Sequence, residues 1–128
     1  MKLYRYYCLA TNKFPTEGFL NRLGRISRLN PDKDYFKIRH VSRKIINDLP
    51  FPNSEIIKDN LKYGVPMLLY FTELANEKFK DSIDDIKEYL LEKDNTEVRC
   101  DITDISEKSS RILYKDDYQV VLHIFPCD

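Results

Sequence analysis

Between Pro66 and Lys93 the chain carries its longest unbroken hydrophobic period. Leu68, Phe71, Ala75, Phe79, Ile83, Ile86 and Leu90 recur at steps of three or four. That is the spacing of one helix face, and it stays in phase for roughly six turns. The pattern predicts one long amphipathic helix near 66–92, with Gly64 ending the preceding segment and Pro66 in the first turn, where a missing N–H is tolerated. Asp81 and Ser82, with Asp85 three residues on, form a competing capping box that would divide it in two. The common phase of the two halves favours continuity. Such a helix specifies a core, not an activity.

A chain of 128 residues with 42% hydrophobic and 12% aromatic content can bury that core, so a single domain spanning 1–128 is expected. No apolar run approaches the ~20 residues needed to cross a bilayer, and MKLYRYYCLA lacks the apolar centre of a secretory signal. Three cysteines without a CxxC pair point to reduced thiols and a cytoplasmic setting. The Lys-, Ile- and Asn-rich composition suits a bacterial or phage source.

Around the helix the reading is α+β. Lys2–Ala10, rich in tyrosine, is predicted as the first strand, and Thr16 as the cap of a helix over 17–29 with Phe19, Leu20, Leu23 and Ile26 buried. Thr11–Pro15 reads as a loop and Asn30–Asp34 as a turn. Tyr35–Val41 alternates as a strand, with Phe36, Ile38 and His40 on one side; 42–48 is open between a short helix capped by Ser42 and a continuation of that strand. Residues 49–53 read as extended, and Ser54 opens a short helix towards Gly64. Beyond the long helix the period changes to two: Glu97–Ile105 is a strand, and Arg111–Lys115 with Tyr118–Phe125 flank a hairpin turn at Asp116 and Asp117. The sum is a mostly antiparallel sheet of four to five strands, the first strand plus three C-terminal ones, covered by helices.

Little here suggests catalysis. The two histidines, His40 and His123, and the cysteines Cys8 and Cys100 offer material for a Cys–His hydrolase, but Cys100 shares its face with Val98 and Ile102, as an inert core thiol would. His123, Cys127 and Asp128 give zinc no second ligand pair, and Asp84–Asp85, Asp116–Asp117 and Asp101–Asp104 are ordinary surface and turn carboxylates. No phosphate-loop, dinucleotide, zinc-protease or nucleophile-elbow motif occurs. No catalytic residue, metal or cofactor is expected.

The functional lead is charge. Lysine plus arginine equals aspartate plus glutamate at 21 each, yet residues 1–50 hold 11 basic and 4 acidic side chains, a net of +7, and residues 51–128 hold 10 and 17, a net of −7. If the fold gathers the basic residues, Arg5, Arg22, Arg25, Arg28, Lys37, Arg39 and Arg43, with Tyr4 and Tyr6 between them, form a partner-binding surface. The first expectation is a non-enzymatic binding protein, an inhibitor, immunity-type or adaptor protein that engages another protein through a charged surface. The alternatives are a nucleic-acid-binding module using arginines beside stacking rings, and the small hydrolase above. No membrane partner is expected.

Overall fold

The computed structural model describes residues 1–10, 16–29, 34–49 and 67–123. Along these run β1 (Lys2–Cys8), β2 (Glu17–Gly18), α1 (Phe19–Leu29), α2 (Tyr35–Asp48), β3 (Met67–Thr72), α3 (Glu73–Lys78), α4 (Lys80–Asp94), β4 (Val98–Asp104), β5 (Ile112–Lys115) and β6 (Gln119–His123). The fold is α+β, with a six-stranded sheet ordered β2-β1-β3-β6-β5 and β4 also pairing with β1. The pairings β1–β2, β1–β3, β3–β6 and β5–β6 are all antiparallel. No helix among the described residues is long and apolar enough to cross a membrane.

Three expectations need correction. The stretch expected to open the long helix, Met67–Thr72, is instead the strand β3, hydrogen-bonded to β1 through Thr72 and Phe71 and to β6 from Met67 to Phe71. Paired on both sides, it reads in sequence as a solid apolar run, which a period count assigns to a helix as readily as to a strand. Helix follows from Glu73. Thr72 closes its first turn, accepting the Ala75 N–H on Oγ1. The helical stretch is then broken at Phe79, whose φ of −100° and ψ of 10° separate α3 from α4. No side chain caps α4, so the Asp81–Ser82–Asp85 box goes unused as such. The third correction is Tyr35–Val41, which is helical and continues unbroken to Asp48, settling 42–48 as helix. Its buried residues Ile38, Ser42 and Ile45 lie at helical spacing. Ser42 sits inside that helix, donating its Oγ–H to the Arg39 carbonyl at 2.9 Å, and caps nothing. The expectations for 11–15, 30–33 and 50–66 lie outside the described residues.

The chain divides into two compact units, both discontinuous in sequence. One comprises Met1–Arg5, Leu49–Lys78 and Ile102–Asp128. Its core is Leu3, Tyr70, Ile105, Val120 and Leu122, with Met1, Leu68 and Ile112 packed on it. Val120 and Leu122 are fully buried on one face of β6, and Val121 is nearly so on the other. The β5–β6 hairpin carries a register shift between Ile112 and Tyr114 and turns on Asp116. The Asp116 carboxylate accepts the N–H groups of Tyr118 and Gln119 at 2.8 and 2.9 Å, the Gln119 amide at 3.0 Å and the Tyr114 hydroxyl at 2.8 Å.

Burial alone would raise the acidity constant of Asp116, but those four hydrogen bonds more than offset it, and the carboxyl is held below the usual range. An acid lowered in the folded state stabilises above its unfolded value, about 3.9, and the contribution is lost as pH falls through the folded value. Asp116→Asn is therefore expected to cost about 1 kcal/mol at neutral pH. The gap between the two proteins in urea melts should narrow steadily below about pH 4.

The other unit comprises Tyr6–Asp48 and Phe79–Asp101. Here α1 and α2 both pack on α4, whose Ile83, Ile86, Tyr89 and Leu90 face inward. Phe79 and Val98 are also buried. Asn95 ends α4 in the left-handed conformation, φ 51°, with its N–H on the Leu91 carbonyl and that of Thr96 on Leu90. Asparagine tolerates that geometry better than any residue but glycine.

Candidate docking groove between two helices

The nine basic and aromatic residues expected to form one surface separate. Arg22 is fully buried. The reason is its place in α1, where Phe19, Arg22, Leu23 and Ile26 share the inward face. Its Nε donates to Glu17 at 2.5 Å, one terminal nitrogen donates to the Leu9 carbonyl at 3.2 Å, and the other donates to the Thr96 hydroxyl at 3.5 Å and lies 3.7 Å from Asp94. Thr96 in turn donates its hydroxyl to Asp94. Arg25 takes the other Glu17 oxygen at 2.8 Å. Arg22 is thus a structural cation, and Arg25 is half-neutralised beside it. Neither belongs to an open surface.

Tyr6 packs its ring on Phe19 with centroids 5.5 Å apart, and its hydroxyl is hydrogen-bonded to Cys100, so it offers no open stacking platform. Tyr4 and Arg5 are part-buried on β1 in the first unit.

What remains is compact. Arg28 near the end of α1 and Arg39 and Arg43 on α2 are exposed and face a groove of roughly 240 Å³ between the two helices. No ion pair to these three arginines occurs among the described residues; Arg39 rests 6.0 Å from the centre of the Tyr35 ring. Leu20, Leu23 and Ile46 line the same groove. Leu29 and Phe36, next in the chain to the groove residues Arg28 and Tyr35, are 62% and 71% exposed, and Ile46 is 53% exposed. Apolar surface of this extent beside uncompensated charge marks a binding face more than a solvated one.

Lys37 faces elsewhere. The other flank of α2 meets α4 across a second groove of roughly 300 Å³, where Lys37 and Lys93 sit among Asp34, Asp85, Glu88 and Glu92. Lys93 is bridged to Asp34 at 3.0 Å. Within this unit α2 therefore has a cationic flank and a predominantly anionic one.

The sequence already held the signal for the groove. Arg39, Arg43 and Ile46 fall at i, i+4 and i+7, one stripe if the segment is helical. Reading it as a strand scattered them across two faces. The floor residues Leu20, Ser42 and Ile46 were missed for the same reason.

The thiols are not primed as nucleophiles. Burial pushes the Cys8 thiol up to about 11 in spite of Arg22 nearby, and burial also raises Cys100 against the Tyr6 hydrogen bond. Among the described residues no group of three His, Cys, Asp or Glu side chains could hold a metal ion; Cys127 and Asp128, weighed as ligands with His123, lie outside them. No protein-family model matches the chain, and no curated protein or solved structure matches it.

Proposed function

We propose that this chain is a non-enzymatic binding protein of the inhibitor, immunity or adaptor kind that engages an acidic protein partner through the α1–α2 groove. The observation that carries the reading is the combination, in one groove, of an apolar floor and three arginines without an ion pair among the described residues. An interface of this composition suits protein recognition, in which a desolvated apolar centre supplies affinity and flanking charge selects the partner. A nucleic acid is the less favoured ligand. Its backbone would track charge alone, and the opposite flank of α2 presents Asp85, Glu88 and Glu92. The raised thiols favour a binding role over nucleophilic chemistry.

Immobilised protein is expected to capture one dominant acidic protein from its source cells, to release it as salt rises, and to ignore a 5′-labelled oligonucleotide of about 20 nucleotides. Retention of the oligonucleotide with a steep salt slope, and of no protein, would replace this reading with nucleic-acid binding.

A further inference from the structure

We infer that the segment seated in the α1–α2 groove is an acidic amphipathic helix of the partner, about three turns long, with carboxylates one turn apart over Arg39 and Arg43. The inference deepens the proposed function and rests on it. Its first ground is the backbone. Both walls of the groove are helices, whose N–H and C=O groups bond within the helix away from its ends. An extended segment laid there would find side chains but no ladder of main-chain partners for its own N–H and C=O groups, which burial would leave unpaired. A helical segment brings its backbone already satisfied. Only side chains then have to be matched.

The second ground is spacing. Arg39 and Arg43 are four residues apart on one wall, so their stems rise about 6 Å along α2, the separation of i and i+4 on any second helix lying alongside. Arg28 faces the groove from the other wall, and Leu20, Leu23 and Ile46 provide the apolar strip that the inserted face would cover. From Tyr35 to Ile46 the α2 wall spans eleven residue steps, about 16 Å, which sets the length at about three turns. Charge complementarity fixes the sign, because guanidinium groups pair carboxylates in a fork geometry and none of these three has an ion pair among the described residues.

A display library of twelve-residue peptides with glutamate fixed at two positions four apart tests this, built once in a stapled helical frame and once with a central proline that forbids the helix. The wild-type protein is expected to enrich clones from the helical library alone. A synthetic winner should bind at least tenfold more weakly to Ile46→Asp and to Arg43→Glu, each at an exposed position. Equal enrichment from both libraries would overturn the helix while leaving acidic docking in place. Enrichment from neither, together with binding of a single-stranded oligonucleotide, would overturn both. Salt-sensitive self-association in analytical ultracentrifugation that blocks the winning peptide would overturn a separate partner. It would instead assign the groove to a second copy, whose α4 exposes Asp84, Glu88, Leu91 and Glu92.

Discussion

Arg22→Met is expected to destabilise the protein by about 3–5 kcal/mol, the cost of removing one member of a buried ion network and leaving its carboxylates behind. Methionine fills a similar volume without charge, so the loss is not a cavity effect. The partners stay partly supported: Glu17 keeps Arg25, and Asp94 keeps the Thr96 hydroxyl. The lower end of the range is therefore expected. Urea unfolding followed by far-UV circular dichroism measures it. A second substitution discriminates the cause. Arg22→Met with Glu17→Gln should recover part of the loss, because an uncharged amide is cheaper to bury than an unpaired carboxylate. A cost under about 1 kcal/mol for Arg22→Met alone would mean that the network is dispensable to the fold.

Arg39→Glu with Arg43→Glu is expected to weaken partner binding at least a hundredfold while leaving stability within about 0.5 kcal/mol of wild type. Both residues are exposed on α2, and neither takes part in an ion pair among the described residues, so the fold loses only the contact of Arg39 with the Tyr35 ring. An acidic ligand would meet two carboxylates where it met two guanidiniums, and repulsion adds to the lost pairing. Isothermal titration against the captured partner, with urea melts of both proteins, checks the two halves together. Unchanged affinity would move the interface off this groove.

How far the sequence foretells this arrangement depends on the segment. The stripe from Phe79 to Leu90 reads correctly because period 3.6 and burial coincide there: Phe79, Ile83, Ile86 and Leu90 are all buried. The antiparallel C-terminal strands and the Asp116 turn read correctly for a similar reason, alternation bounded by turn residues. Leu68 and Phe71 misled because β3 is paired on both sides and Phe71 and Tyr70 are both buried, so neither face shows the polar alternation of a half-exposed strand. Phe36, Ile38 and His40 alternate by accident: Ile38 is buried, whereas Phe36 and His40 are exposed.

The candidate site was legible only in part. Counting charge identified the basic first half, and from it Arg28, Arg39 and Arg43. Counting could not separate Arg22 from Arg25 and Arg28 three and six residues on. Position could have done so, because Arg22 lies in the i, i+3, i+4, i+7 series with Phe19, Leu23 and Ile26. Lys37 went astray because its side of α2 was fixed by packing on α4, a contact between segments about fifty residues apart.

The two flanks of α2 bear on how fast a complex forms. A helix with its side chains is about 10 Å across, close to the roughly 8 Å over which ions in physiological solution damp a field. From farther away the opposite signs blur into near neutrality, in a chain whose formal charge is zero. An approaching ligand is then drawn in little by the field and oriented only on near arrival. Encounter should proceed at the unassisted pace of ordinary proteins, and selectivity should reside in how long the complex lasts.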